Sequence, residues 1–245
     1  TLLFLITSKK GICCTTAMTT VGKGLAWPLP TDMVKRTVAI MQPTYLPWVG
    51  YFDLIDQSDC FVILDSVQFS KRSWQQRNRV KGPNGPVWCS VSVHTKGHRD
   101  QAIGAVEVDH SQGSLSKHTR VVRHGYEDAA CYSYYEGFAE ILQREPRLLA
   151  DLNIELIQWM CGCFGIETQF VRSSELAARG AKEELLVNIC KELGATEYLS
   201  AAGSRSYIEE HNPFPAASID LTYHNYEHPV YSQLHGPFES HLRQP

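Results

Sequence analysis

The sequence lacks any C-x-x-C pair, any apolar run near the roughly 18 residues that cross a bilayer, and any strong excess of charge. Each absence removes a class of function. Eight cysteines stand at 13, 14, 60, 89, 131, 161, 163 and 190, and Cys161 and Cys163 are only one residue apart. That spacing suits neither a tetrahedral zinc site nor a disulfide framework, so no metal site is expected. Reduced thiols packed as small hydrophobes in a cytoplasmic protein are expected instead. A net charge of -3 provides no basic field for nonspecific nucleic-acid binding, so no nucleic-acid partner is expected. The missing apolar run excludes a spanning helix. Walker loop, G-x-G-x-x-G fingerprint and G-x-S-x-G elbow are all missing, as are internal repeats and low-complexity linkers.

What is present reads as one α/β domain. A length of 245 residues suffices for one sizeable core. Residues 38–41, Val-Ala-Ile-Met, form a short β-prone run of the kind covered on both faces. Gln42-Pro43-Thr44-Tyr45-Leu46-Pro47-Trp48 follows, and its two prolines forbid a continued ladder and stiffen the loop. Residues 49–57 read as a helix with Phe52 and Ile55 inward, and residues 60–64 as a second buried strand ending at Asp65. Strand, loop, helix, strand is a βαβ unit. Ligands of open α/β sheets sit at the carboxyl ends of the strands, where both polar loops begin.

Further along, Gly82-Pro83-Asn84-Gly85 signals a hairpin between strands at 79–81 and 87–93. A strand-like piece covers 105–108. Residues 114–165 turn helical in about three pieces, with Phe138, Ile141, Leu142, Leu152, Leu156 and Trp159 as buried stripes. A strand at 168–171, a helix at 182–193 closed by Gly194, and strands at 198–200 and 219–223 complete the pattern. The fold class is therefore α/β: a mostly parallel sheet with flanking helices, a β-hairpin and a helical insertion. Residues 1–32 begin without Met, and their Lys9-Lys10 follow the apolar piece, the reverse of a signal peptide. They are expected to be a non-native upstream or disordered segment, with residues 33–245 forming a single domain.

The basic-aromatic loop is the strongest candidate site. Lys71, Arg72, Arg77, Arg79 and Lys81 fall within eleven residues, interleaved with Trp74 and the amides of Gln75, Gln76 and Asn78. Guanidinium forks suit phosphate or carboxylate, and an indole face suits stacking. Gly203-Ser204-Arg205 lies between a strand and a helix, where free backbone N–H groups can meet an anion. His224, Glu227, His228 and His235 read better as a hydrogen-bonded cluster than as metal ligands.

QPTYLPWVGYFDLI and SDCFVILDSVQFSKRSWQQRN, with KELGATEYLSAAGSRSYI and YEHPVYSQLHGPF, resemble the WbqC-like protein family over residues 36–240. Ala201 stands where that family usually has glycine. The family normally continues into a further helix beyond the last residues here, so a shortened C-terminus is expected. The resemblance implies a bacterial protein of surface-polysaccharide (O-antigen) gene clusters and leaves the cofactor unassigned. By analogy, the βαβ start is also similar to nucleotidyltransferases of the pantothenate synthetase kind, a nucleotidyltransferase-like beginning. Their loop histidines would fall on Tyr45 and Trp48. The implied reading is a transferase or ligase that acylates a nucleotide-linked amino sugar, and the alternative is a non-catalytic nucleotide-binding module. Its partner would be a small molecule such as a nucleotide sugar. Asp65 and Tyr45 are the catalytic candidates. Gln42, Thr44, Trp48, Lys71, Arg72, Trp74, Arg77, Asn78, Arg79, Gly203, Ser204 and Arg205 are the binding candidates.

Overall fold

The computed structural model describes residues 35–98 and 100–239, so the expectations for residues 1–32 and for the last residues lie outside the described residues. Strand β1 (Thr37–Met41) is followed by helix α1 (Val49–Asp56) and strand β2 (Cys60–Ile63). A hairpin of β3 (Arg77–Gly82) and β4 (Gly85–Ser90) comes next, then helices α2 (Ser114–Tyr126), α3 (Tyr135–Gln143) and α4 (Leu149–Phe164). Strand β5 (Gln169–Arg172), helix α5 (Lys182–Glu192), strand β6 (Glu197–Ser200), helix α6 (Arg205–Ile208) and strand β7 (Asp220–Tyr223) complete the fold.

The five-stranded sheet has the order β5-β2-β1-β6-β7, and each neighbouring pair is parallel. Side chains alternate across a strand, and here the alternation sorts the apolar residues into two cores. Ala39, Phe61, Ile63 and Leu199 pack with α1, α3, α4 and the inner face of the hairpin. Val38, Ile40, Cys60, Val62 and Tyr198 pack with α5, Ile208 and Phe214. Burial on both faces explains why these strands read as continuous apolar runs. The chain leaves β1 toward β2 on one side, while β6 occupies the other side. The carboxyl ends of β1 and β6 therefore form the switch point where ligands of such sheets bind.

The hairpin pairs Gly82 with Gly85 and Arg77 with Ser90, and Gly85 supplies the positive φ of 107° in its turn. The strand expected at 105–108 is instead a 3-10 turn at Ile103–Ala105, with single bridges from Val108 to Val93 and from Glu107 to Leu148. The reason is local. Gly104 donates to the Asp65 carbonyl at 2.8 Å, and a Cβ on Gly104 would lie 3.2 Å from Asp65 Oδ2, so the backbone bends in against Asp65 and no ladder can run past.

Asn153 of α4 is fully buried and holds the loops above the sheet. Its Nδ2 donates to the carbonyls of Pro43 at 3.1 Å and Gln75 at 2.7 Å. Replacing Asn153 with Ala strands both buried carbonyls, at roughly 1–3 kcal/mol for an unsatisfied buried group. Urea denaturation of Asn153→Ala is expected to show a loss of about 2–3 kcal/mol; a change within the roughly 0.5 kcal/mol of an ordinary surface substitution would show that the loops are held elsewhere.

Candidate functional site

Two of the polar segments singled out in the sequence meet at the carboxyl edge of the sheet. The Tyr45 N–H donates to the Trp74 carbonyl at 2.8 Å, and Gln75 Nε2 donates to Gln42 Oε1 at 2.8 Å. Asn78 points inward from β3, and its Nδ2 reaches the carbonyls of Leu46 at 2.7 Å and Tyr45 at 3.3 Å. Those bonds hold the loop at Leu46, whose φ of 49° lies in the left-handed region. Asn78 thus positions the loop. Thr44 is half-buried on the same loop, while Trp48 is 44% exposed and meets Tyr226 edge to face at 5.2 Å.

Side chains on one face of a strand are two residues apart, so Arg77, Arg79 and Lys81 share a face with Pro86, Trp88 and Ser90 across the ladder. Trp74 lies near-parallel to Trp88 at 6.1 Å. The Arg77 guanidinium sits 4.5 Å and that of Arg79 5.3 Å from the Trp88 ring centre. Nε and Nη2 of Arg79 are shut off from solvent and have no hydrogen-bond partner among the described residues. Lys81 is consumed differently: its Nζ donates to Gln233 Oε1 at 3.0 Å and to the Pro237 carbonyl at 2.5 Å, docking the C-terminal segment. Lys71 and Arg72 are exposed on the turn before the hairpin.

Asp65 is completely buried and its carboxylate is saturated. It receives Arg172 Nε at 2.7 Å, the Ser174 N–H and hydroxyl at 2.9 Å each, and the Ser173 hydroxyl at 3.2 Å. Arg172 also binds Asp151 at 2.8 Å. A carboxylate engaged four times has no lone pair facing a substrate.

Tyr45 is also fully buried, and a hydrogen bond of 2.8 Å joins its hydroxyl to His118 Nδ1. Burial raises the phenol pKa well above its usual value, so the hydroxyl stays protonated. Burial pulls the His118 pKa down to about 4; a backbone hydrogen bond at Ser90 opposes this and the charge of Lys117 adds to it. The dyad is neutral at physiological pH.

Gly203, Ser204 and Arg205 share the carboxyl edge without joining the Trp88 face. Ser204 Oγ meets Ser200 Oγ at 2.5 Å, and Arg205 lies 4.3 Å over the Tyr223 ring and 3.8 Å from Glu209. Among the described residues, no group of three His, Cys, Asp or Glu is placed to hold a metal ion. His224 instead bonds Asp53 at 2.6 Å and His235 bonds the Gly125 carbonyl at 2.6 Å.

The sequence reading overlooked Trp88, His118 and Arg172. Trp88 was recoverable, since a turn centred on Pro83-Asn84 sets residue 79 opposite residue 88. His118 and Arg172 carried no local signal.

The model of the WbqC-like protein family matches residues 42–243. The chain belongs to the WbqC-like protein family. This WbqC-like chain is 37% identical over 207 residues to the uncharacterized protein Rv1507c of Mycobacterium tuberculosis, covering 83% of the chain and 89% of that relative. No solved structure matches it. No helix among the described residues is long and apolar enough to cross a membrane.

Two outcomes follow from these environments in the WbqC-like domain. Asp65→Asn keeps the shape but removes the charge that faces Arg172. Breaking a buried pair from one side costs about 3–5 kcal/mol, and Arg172 is partly exposed and keeps Asp151, so a loss of about 2–4 kcal/mol is expected in chemical denaturation. An undiminished stability would leave the carboxylate free for chemistry. For His118, the unfolded chain binds a proton near pH 6.5 that the folded chain refuses until about pH 4. Stability therefore falls as pH falls through that window and flattens below it, with His118 contributing on the order of 2 kcal/mol between pH 6.5 and 5. His118→Gln should flatten the denaturation profile across that interval; an unchanged slope would show that other groups set it.

Proposed function

We propose that the protein binds a nucleotide-linked sugar at the carboxyl edge of its sheet, with the phosphates on Arg77 and Arg79 and the base stacked on the exposed indoles. One observation carries this reading: the Arg79 guanidinium, with two nitrogens buried and unpartnered among the described residues, beside a second guanidinium and two tryptophans. A buried cation without an anion is costly, and a phosphate meets a guanidinium fork with paired hydrogen bonds. Gln42, Thr44 and Trp48, on the adjoining loop, would contact the sugar. Lys71 and Arg72 add positive potential at the mouth, and Gly203, Ser204 and Arg205 border the edge beyond β6. The resemblance to proteins of surface-polysaccharide clusters supports a sugar nucleotide as the class, in a cytoplasmic setting.

The acyl transferase or ligase reading needs a group that moves a proton. Asp65 is saturated by its four donors, and Tyr45 is a buried phenol that positions His118. Binding without catalysis by those two residues is the function the geometry supports best.

The test is calorimetry with a panel of nucleoside diphosphates and nucleotide sugars on the wild type and on Arg79→Ala. Truncating one side of a desolvated charge pair costs about 2–5 kcal/mol, so Arg79→Ala is expected to reduce affinity by that amount. The ligand-free variant should melt at the same temperature or higher, because an uncompensated buried charge has been removed. Arg77→Lys should also weaken binding, since an ammonium lacks the fork. A ligand bound equally by wild type and Arg79→Ala, or a sharp fall in melting temperature, would make this arginine structural and sink the reading.

A further inference from the structure

A concave site lies between the end of β4 and helix α2. It is a cavity of about 490 Å³: Trp88, Ser90 and Ser92 line it on one side, Ser114, Lys117, His118, Arg120 and Val121 on the other, and neither Arg77 nor Arg79 contributes to its wall. The volume falls in the roughly 300–1,000 Å³ range of small-molecule sites. The fold explains why the wall is polar. Residues 117, 120 and 121 are three and four apart on α2, so they face the same way, while His118 on the adjoining row faces Tyr45.

The charges all have one sign. Lys117 and Arg120 supply two cations, and no carboxylate lines the cavity. Lys117 Nζ donates to one backbone carbonyl, that of Gln112, at 3.2 Å; the Arg120 side chain makes no hydrogen bond or ion pair among the described residues. Likewise the hydroxyls of Ser90 and Ser92 make no hydrogen bond among the described residues, which leaves donors and acceptors for hydroxyl groups of a ligand. Trp88 adds a flat apolar wall, 40% exposed, of the kind that packs against the non-polar face of a pyranose. His118 is held neutral at the floor, so anion attraction comes from Lys117 and Arg120.

We infer that this cavity is a binding site for a phosphorylated monosaccharide: the phosphate on Arg120 and Lys117, the ring hydroxyls on Ser90 and Ser92, the ring face on Trp88. Trp88 and Ser90 belong to the hairpin face that also carries Arg77 and Arg79, but neither guanidinium lines the cavity, whose cations come from α2. An acidic polyol also fits better than a bare anion, because hydroxyls and an indole make up half of the lining.

Isothermal titration with glucose 6-phosphate, glucose and inorganic phosphate separates the possibilities. The wild type is expected to bind glucose 6-phosphate saturably, at least tenfold more tightly than inorganic phosphate, and to show no binding of glucose. Arg120→Ala should weaken glucose 6-phosphate at least fivefold, and Val121→Trp, which fills the cavity from the helix side, should abolish it. Both substitutions leave Arg77 and Arg79 in place and are expected to leave nucleotide affinity unchanged, so failure here and failure of the nucleotide reading are told apart. Melting temperatures within a few degrees of wild type establish that the variants fold. Should Val121→Trp be unfolded, Ser92→Trp at the opposite wall serves the same purpose. Equal affinity for inorganic phosphate and glucose 6-phosphate, wild-type affinity in folded Arg120→Ala and the filled variant, or no saturable binding at all would each overturn the proposal.

Discussion

The Asp65 carboxylate is the interaction on which the carboxyl edge of the sheet depends. It sits past the end of β2 with no exposure to water and draws Arg172, Ser173 and Ser174 from the end of β5 onto itself. The backbone carbonyl of the same residue receives Gly104, so one residue ties the end of β5 and an interior turn of the insertion between β2 and β5 to the end of β2. A buried carboxylate is tolerated only when its lone pairs are answered, and the four donors here do so. Ser173 Oγ also accepts from the Asp65 and Ser66 N–H groups at 3.0 and 3.1 Å, so few polar atoms at this corner depend on water. Such saturation favours rigidity over chemistry.

A second set of constraints, built from amides, acts one strand over. Asn78, Asn153 and the Gln42–Gln75 pair tie the loop after β1 to the segment leading into the hairpin and to α4. Neutral amides cost less to bury than charges and offer donors and acceptors together, which suits the joining of irregular segments whose carbonyls lack ladder partners. With the loop held this way, the strand that follows turns its odd-numbered face outward. Arg77 and Arg79 then stand over Trp88.

Much of the fold was legible in the sequence because its signals are local. The short apolar strands, the amphipathic helices and the Pro-Asn turn are dictated by periodicity and backbone sterics within a few residues, and the resemblance at both ends of the chain identified the family. The clustering of arginine and tryptophan before and within the hairpin was also visible directly. Roles were less legible. Asp65 looked like an acid or base because it ends a strand beside two polar loops, and Asn78 looked like a ligand contact because it sits among arginines. Their environments come from Arg172, which is 107 residues away from Asp65, and from the Leu46 carbonyl, 32 residues away from Asn78.

What the sequence by itself determined was the list of elements, the alternation that splits the apolar residues between two cores, and the basic-aromatic character of one loop. Only the tertiary structure decided the strand order, the burial of Tyr45 against His118, the saturation of Asp65 and the isolation of the Arg79 guanidinium. The reason is physical. Backbone propensity and side-chain period act over one or two turns of chain, whereas desolvation and hydrogen-bond satisfaction depend on which distant segments close over a group. A residue type states which charge or hydrogen bond is possible. The packing around it states whether that capacity is spent on the fold or left for a ligand.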